Sequence, residues 1–240
     1  MADPRACGSG EGRFRLTASA APHDKEEYMV QLANPSFAAY EQTRRTAGQP
    51  VILDLACGFR KVPGAFGVDA RLLPGVDLVH DLNDRPYPFP DNCADEIHLN
   101  HVLEHFETPL PIMEEAWRLA RPNCKVAIRT PHYSGIYAWK DPTHRRCFTT
   151  ESFRYFGENE YSYYTTARFR VVHVRMKYFI EGGGEAWRGP YRVWARAVQW
   201  LLDRHPTFSE RFACYVVGGI DELHVMLEAV KGPPVTSGAR

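Results

Sequence analysis

Apolar residues run along the chain in two rhythms. In the first half, short unbroken apolar stretches each close on an acid or a small residue: PVILDLACGF from Pro50, AFGVDA from Ala65, VDLVHDL from Val76 and ADEIHLN from Ala94. Such runs predict strands covered on both faces, as in a parallel sheet. PLPIMEEAWRLARPN predicts a helix, with Leu110, Met113, Trp117 and Ala120 on one face, Pro111 in the first turn and Pro122 past the end. KVAIRTPH predicts a fifth strand. In the last third, RVVHVRMKYFI and DELHVMLEAVK alternate like strands, and YRVWARAVQWLLDRH places Val193, Trp194, Ala197, Val198, Leu201 and Leu202 at helical spacing. Strands alternating with helices and loops, with acids at their C-terminal tips, predict a doubly wound α/β sheet.

The flanks differ in texture. Residues 1–24 are rich in Gly, Ala and Ser without periodicity and are expected to be disordered. Residues 25–48 carry Tyr28, Met29, Leu32, Phe37 and Tyr40, which predict one or two short helices forming a lid, with Tyr28 toward the substrate. The main domain is expected over 49–232, with acceptor-side insertions near 130–165 and 182–210, and a flexible tail over 233–240.

Charge narrows the partners. Across 240 residues, Lys and Arg number 29 and Asp and Glu number 29, so no basic excess argues for a nucleic acid. Six cysteines are scattered without a Cys-x-x-Cys pair, which fits a reducing cytoplasm and disfavours a zinc ribbon. No apolar run has the length of a membrane span. A cytoplasmic monomer or homodimer is the expectation.

The candidate chemistry begins at LDLACGFRKVPGAFGVD. Asp54 ends one strand, and Ala56, Cys57 and Gly58 expose main chain at the edge where open α/β sheets bind ligands. Asp69 ends the neighbouring strand, where a carboxylate suits two ribose hydroxyls, and Asp81 at a third tip suits an exocyclic amine. Neither Gly-x-Gly-x-x-Gly nor a Gly-Lys-Ser/Thr loop is present, so a nucleoside without a phosphate chain fits better than a dinucleotide or nucleotide triphosphate.

At these residues the chain resembles the class I S-adenosylmethionine (SAM) dependent methyltransferases, within a broad bacterial small-molecule group of the type 11 kind. The matching stretches are LDLACG (53–58), GVD (67–69), HDL (80–82), PYPFPDNCADEIHLNHVLEHF (86–106) and ARPNCKVAIRTPH (120–132). The resemblance implies a mostly parallel, seven-stranded Rossmann-like sheet, helices on both faces and a C-terminal antiparallel strand. It also implies that Asp54 and the backbone of Ala56 and Gly58 hold the methionine end of SAM, and that Asp69 grips the ribose. Asp81 and the Leu82 backbone would read adenine, Asn100 would line the methionine side, and His105 would lie near the sulfonium. S-adenosylhomocysteine (SAH) would be the product. Only ten residues separate Gly58 from Asp69, so the helix usual between them is expected to be short or absent.

Two other readings compete. NHVLEHF contains His-x-x-Glu-His, which would make His101 and His105 zinc ligands on one helical face with Glu104 as base in a hydrolase. A non-catalytic SAM-binding protein is the other. The favoured reading takes no metal and places methyl transfer on an O or N nucleophile of a small-molecule acceptor. The acceptor side is expected from TPHYSGIYAWKDPTHRRCFT, where His132 or His144 would act as base, with Asp141 orienting an imidazole and His105 nearby. Tyr133 and Trp139 would contact the acceptor, and Arg145 and Arg146 would favour an anionic one. A minor alternative groups His132, Asp141 and His144 as a metal site.

Overall fold

The computed structural model describes residues 35–157, 163–178 and 190–232. Its strands are β1 (Ile52–Leu55), β2 (Phe66–Asp69), β3 (Leu78–Val79), β4 (Ala94–Asn100), β5 (Ala120–Pro131), β6 (Phe169–Lys177) and β7 (Glu222–Ala229). They form one sheet in the order β3-β2-β1-β4-β5-β7-β6. β7 runs antiparallel to both β5 and β6, and the other pairings are parallel. The unbroken apolar runs become the strands covered on both faces: Leu53, Leu55, Val68, Ile97, Leu99 and Val126 are fully buried. Each contributes roughly 1.5–3 kcal/mol of burial.

The helical cover is sparse on the N-terminal half. The connections over residues 56–65, 70–77 and 80–93 contain no helix, as the short spacing from Gly58 to Asp69 predicts for the first. α1 (Pro35–Thr46) supplies cover from before β1. Its Phe37 meets the rings of Phe66 and Phe89 edge-on, at 5.3 and 4.8 Å between centroids. Tyr40 accepts the Ile52 N–H at 3.0 Å and shares its own proton between the Ile52 and Gly64 carbonyls. That hydroxyl ties helix, strand and crossover loop together.

The loop before β4 is braced from behind. In α2 (Leu110–Leu119), Glu115 accepts the Tyr87 N–H at 2.7 Å and pairs with Arg118 at 2.8 Å. Arg118 donates to the carbonyls of Tyr87 and Phe89, both at 2.9 Å, so Tyr87 and Phe89 enter the core as part of a structural brace. The buried stripe of α2 is Ile112, Met113, Ala116 and Leu119, rotated from the predicted one. Trp117 sits at its margin because its indole N–H needs a partner, found at 3.0 Å in the Val230 carbonyl.

The C-terminal third folds as a second cover. α3 (Pro190–Arg204) buries Val198 and Leu202, and its Gln199 bonds the main chain at Met176 and Tyr178. Beyond it, α4 comprises Pro206–Phe208, a π-helical stretch Ser209–Ala213, and Cys214–Val216. No described helix is long and apolar enough to cross a membrane. Replacing Phe37→Ala is expected to cost about 3 kcal/mol or more, as for large aromatic truncations in a core. Denaturant unfolding checks this, and a midpoint unchanged from wild type would show that α1 is a passive addition.

Candidate active site

Strand order reverses between β1 and β4, so the loops after these strands part and leave a crevice at their C-terminal ends. On the β1 side, Asp54 is fully buried; its Oδ2 accepts the Val62 N–H at 2.7 Å, while Oδ1 has no hydrogen-bond partner. Burial pushes this carboxyl above its ordinary range. The chain then turns through left-handed conformations at Ala56 (φ 60°) and Gly58 (φ 53°). A Cβ on Gly58 would meet nothing within 4 Å, so this face of the loop is open. Asp69 accepts the N–H of Gly58 at 2.9 Å on one oxygen and that of Arg71 at 3.0 Å on the other. A carboxylate has about four lone-pair sites, so each oxygen retains capacity for a ribose hydroxyl. Asp81 is exposed and uses Oδ1 to hold the Asn83 N–H, and Leu82 beside it is buried. An unsatisfied buried carboxylate oxygen, an open main-chain turn and a part-satisfied acid at the second strand tip fit a nucleoside carrying an ammonium group.

The β4 side overturns the helical placement of His-x-x-Glu-His. Asn100 ends the strand, and His101 adopts φ 56°. Leu103–His105 form only a 3-10 turn. His101 is drawn toward β7, with Nε2 2.6 Å from Glu222 Oε1 and Nδ1 3.3 Å from Glu104 Oε1. Contacts with Glu104 first and Glu222 second raise its pKa to about 9. Glu222 also holds His224. His105 leaves the turn on another course. Its ring lies edge-on to His144, with centroids 4.8 Å apart. Two carboxylates therefore occupy His101 and leave it unavailable as the partner of His105 on a zinc ion.

The loop after β5 is docked against this turn. The amides of Arg145 and Arg146 both donate to the Glu104 carbonyl, at 2.7 and 3.2 Å. Arg145 pairs with the Glu107 carboxylate, and Arg146 Nε donates to the Glu107 carbonyl at 2.6 Å. Asp141 accepts from the amide and hydroxyl of Thr143, contacts that hold its carboxyl below the ordinary range. His144 Nδ1 meets the Ala138 carbonyl at 3.1 Å, and Nε2 lies 3.9 Å from Asp141 Oδ2. A cavity of about 250 Å³ lies alongside, walled in part by Asn83, Arg85, His105, Thr108 and Arg145.

His132 does not join this group. It is fully buried, with Nδ1 2.8 Å from Ser134 Oγ and Nε2 3.2 Å from Glu210 Oε1. The expected grouping of His132 with Asp141 and His144 is thus divided. His132 and Tyr133 face α4, where the Tyr133 hydroxyl donates to the Glu210 carbonyl or meets the Tyr215 hydroxyl, each at 3.0 Å. Trp139 is 70% exposed and donates its indole N–H to the Tyr133 carbonyl. Tyr28 lies outside the described residues.

Four residues of these networks escaped the sequence reading. Glu222 and His224 stand two apart in an alternating strand and so share a face, which is a readable signal. Thr143 follows Asp141 at Asx-turn spacing. Glu210 left no signal, because a π-helical stretch delivers it to His132 and Thr150.

The pH dependence of stability follows from Glu222. Burial raises its pKa, but hydrogen bonds from His101 and His224 outweigh this and hold it at about 2. A depressed carboxyl stabilises the fold above its unfolded pKa, about 4.3. That contribution is lost as pH falls toward 2. Glu222→Gln is expected to be less stable than wild type at pH 6 and to lose less between pH 5 and 2 in urea titrations. Parallel pH profiles would refute the assignment.

Residues 6–128 match the methyltransferase domain family. No curated protein matches the chain. Among solved structures, a SAM-dependent methyltransferase from Archaeoglobus fulgidus aligns at 14% identity, covering 80% of this chain and 94% of that one, with a TM-score of 0.46. The YcgJ protein from Bacillus subtilis aligns at 12% identity over 83% of this chain and 99% of its own, with a TM-score of 0.48. A 16S rRNA adenine-N1 methyltransferase from Catenulisporales acidiphilia aligns at 13% identity over 83% and 92%, with a TM-score of 0.45. With its family match spanning 6–128 and its sheet in the order β3-β2-β1-β4-β5-β7-β6, the chain belongs to the methyltransferase domain family and is a class I SAM-dependent methyltransferase.

Proposed function

We propose that the enzyme methylates an O or N nucleophile of a small, anionic molecule. The observation that carries this reading is the convergence of Glu104, His105 and His144 at the end of β4, with one ligand-type atom from each lying within 4.8 Å of the others. This cluster stands across the switch point from Asp54 and Asp69. An acceptor N–H or O–H placed there meets groups able to take its proton.

On the cofactor side, Asp54 and the Ala56–Gly58 backbone would hold the methionine end, and Asp69 the ribose. Asp81 and the Leu82 backbone would hold adenine, and Asn100 would line the methionine chain. When bound, SAM would supply an electrophilic methyl group to the acceptor's lone pair, the C–S bonding pair leaving with sulfur as SAH. The residues of this chain position the acceptor, shield it and manage its proton. Arg85 in the cavity wall favours an acceptor bearing a carboxylate or phosphate, and Arg145 beside it is paired with Glu107. Exposed Trp139, in the same loop as His144, would offer the acceptor an aromatic surface. Equal numbers of acidic and basic residues favour a small acceptor over a polynucleotide.

Calorimetric titration with SAH tests the cofactor half. Wild type is expected to bind one SAH per chain. Asp69→Ala removes charge-assisted hydrogen bonds worth about 1.5–3 kcal/mol and is expected to weaken binding by roughly 10–150-fold. Absence of binding by wild type would overturn the cofactor site, and unchanged affinity in Asp69→Ala would remove Asp69 from the ribose.

A further inference from the structure

We propose that Glu104, His105 and His144 form a binding site for a divalent first-row transition-metal cation, which would hold the ionised oxygen of the methyl acceptor. The proposal adds a metal to the acceptor side described above, and it rests on that reading only for the cation's purpose.

Hydrogen bonding around the cluster determines where the lone pairs point. The Ala138 carbonyl can only accept, so His144 presents its proton there on Nδ1 at 3.1 Å, leaving Nε2 of the neutral ring as an acceptor. The Thr143 hydroxyl gives its proton to Asp141 Oδ1 at 2.7 Å, so it accepts from His105 Nδ1 at 2.9 Å. His105 therefore also offers a bare Nε2. Both imidazoles have the arrangement found around metal ligands, in which the far ring nitrogen donates to a carbonyl or to a carboxylate relay.

The third group is Glu104, whose side chain is only 1% exposed. Its Oε2 accepts from Thr130 Oγ1 at 3.1 Å. Its Oε1 is buried without a well-directed hydrogen bond, although His101 Nδ1 approaches to 3.3 Å. A buried carboxylate whose Oε1 has only His101 Nδ1 at 3.3 Å for a partner, clustered with two imidazoles, has lone-pair capacity left for a cation.

The His144 loop is already fastened to the turn by the two amides on the Glu104 carbonyl. Metal bonds of about 2.0–2.2 Å would require the three ligand atoms, now within 4.8 Å of one another, to draw closer together. Two imidazoles and one carboxylate favour zinc, iron, cobalt or manganese over calcium, and leave positions open for an acceptor oxygen. The cation would lower that oxygen's pKa, so that its proton passes to solvent water instead of to the metal-bound imidazoles, and would hold the oxygen as the nucleophile.

Calorimetry and visible absorption with Co²⁺, and calorimetry with Zn²⁺ and Mn²⁺, on metal-stripped full-length protein without SAM test the site. One saturating equivalent, with a Co²⁺ band that shows imidazole ligation, is expected. His144→Ala and Glu104→Gln are expected to abolish it. Thr143→Val, which removes the hydroxyl that links the His105 ring to Asp141 and leaves all three proposed ligands in place, is expected to weaken affinity by about 10–100-fold. Circular dichroism and SAH binding verify that each variant is folded. Should Glu104→Gln fail to fold, His144→Ala and Thr143→Val decide the matter.

No saturable binding of any of the three ions, or binding unaltered in His144→Ala, would overturn the proposal. Loss of SAH binding by wild type with metal binding intact would instead overturn the cofactor reading and leave the metal site standing.

Discussion

Every buried main-chain amide needs an acceptor, and in this protein several amides in and beside the loops between strands find theirs in carboxylates. Crossovers that pass through helices satisfy their own backbone, whereas the three connections among β1, β2, β3 and β4 have no helix to do so. Asp54 takes the amide of Val62, Asp69 those of Gly58 and Arg71, Asp77 that of Gly67, and Asp95 that of Val51. Glu115 and Glu210 do the same for Tyr87 and Thr150. Charge-assisted bonds of this kind are shorter and stronger than those between neutral groups, so a handful suffices to shape loops that no helix supports.

This solution merges scaffold and site. Asp54 and Asp69 lie at the strand tips where a doubly wound sheet receives its ligand, and they are also the acids that hold the first loop in shape. The lone pairs left over are the ones a cofactor can use. The same economy appears beyond β4, where the Glu104 carbonyl anchors the loop bearing His144 while the Glu104 side chain faces His105 and His101. Backbone bonding thus brings two segments about forty residues apart into one cluster.

The histidines illustrate how alike residues are separated by context. His101 and His105 are four apart in sequence, yet a left-handed residue and a 3-10 turn send one to Glu222 and the other to His144. His132 and His144 lie in the same loop, yet Glu210 draws His132 inward. The helical geometry that would have joined His101 and His105 on one metal requires i, i+4 neighbours on a regular face, and the turn after β4 does not provide it.

The strands, the α2 and α3 helices and the acids at the strand tips could be read from the sequence, because runs of apolar residues and their periods reflect local burial on a sheet or helix face. The LDLACG and GVD stretches carried the family for the same reason: a short loop and its acid act within a few residues of each other. Which histidines meet, which arginines are already paired with Glu107, and that Glu210 and Glu222 enter the networks were decided by tertiary structure. These contacts join residues tens of positions apart, through loop conformations and a π-helical turn that leave no period in the chain.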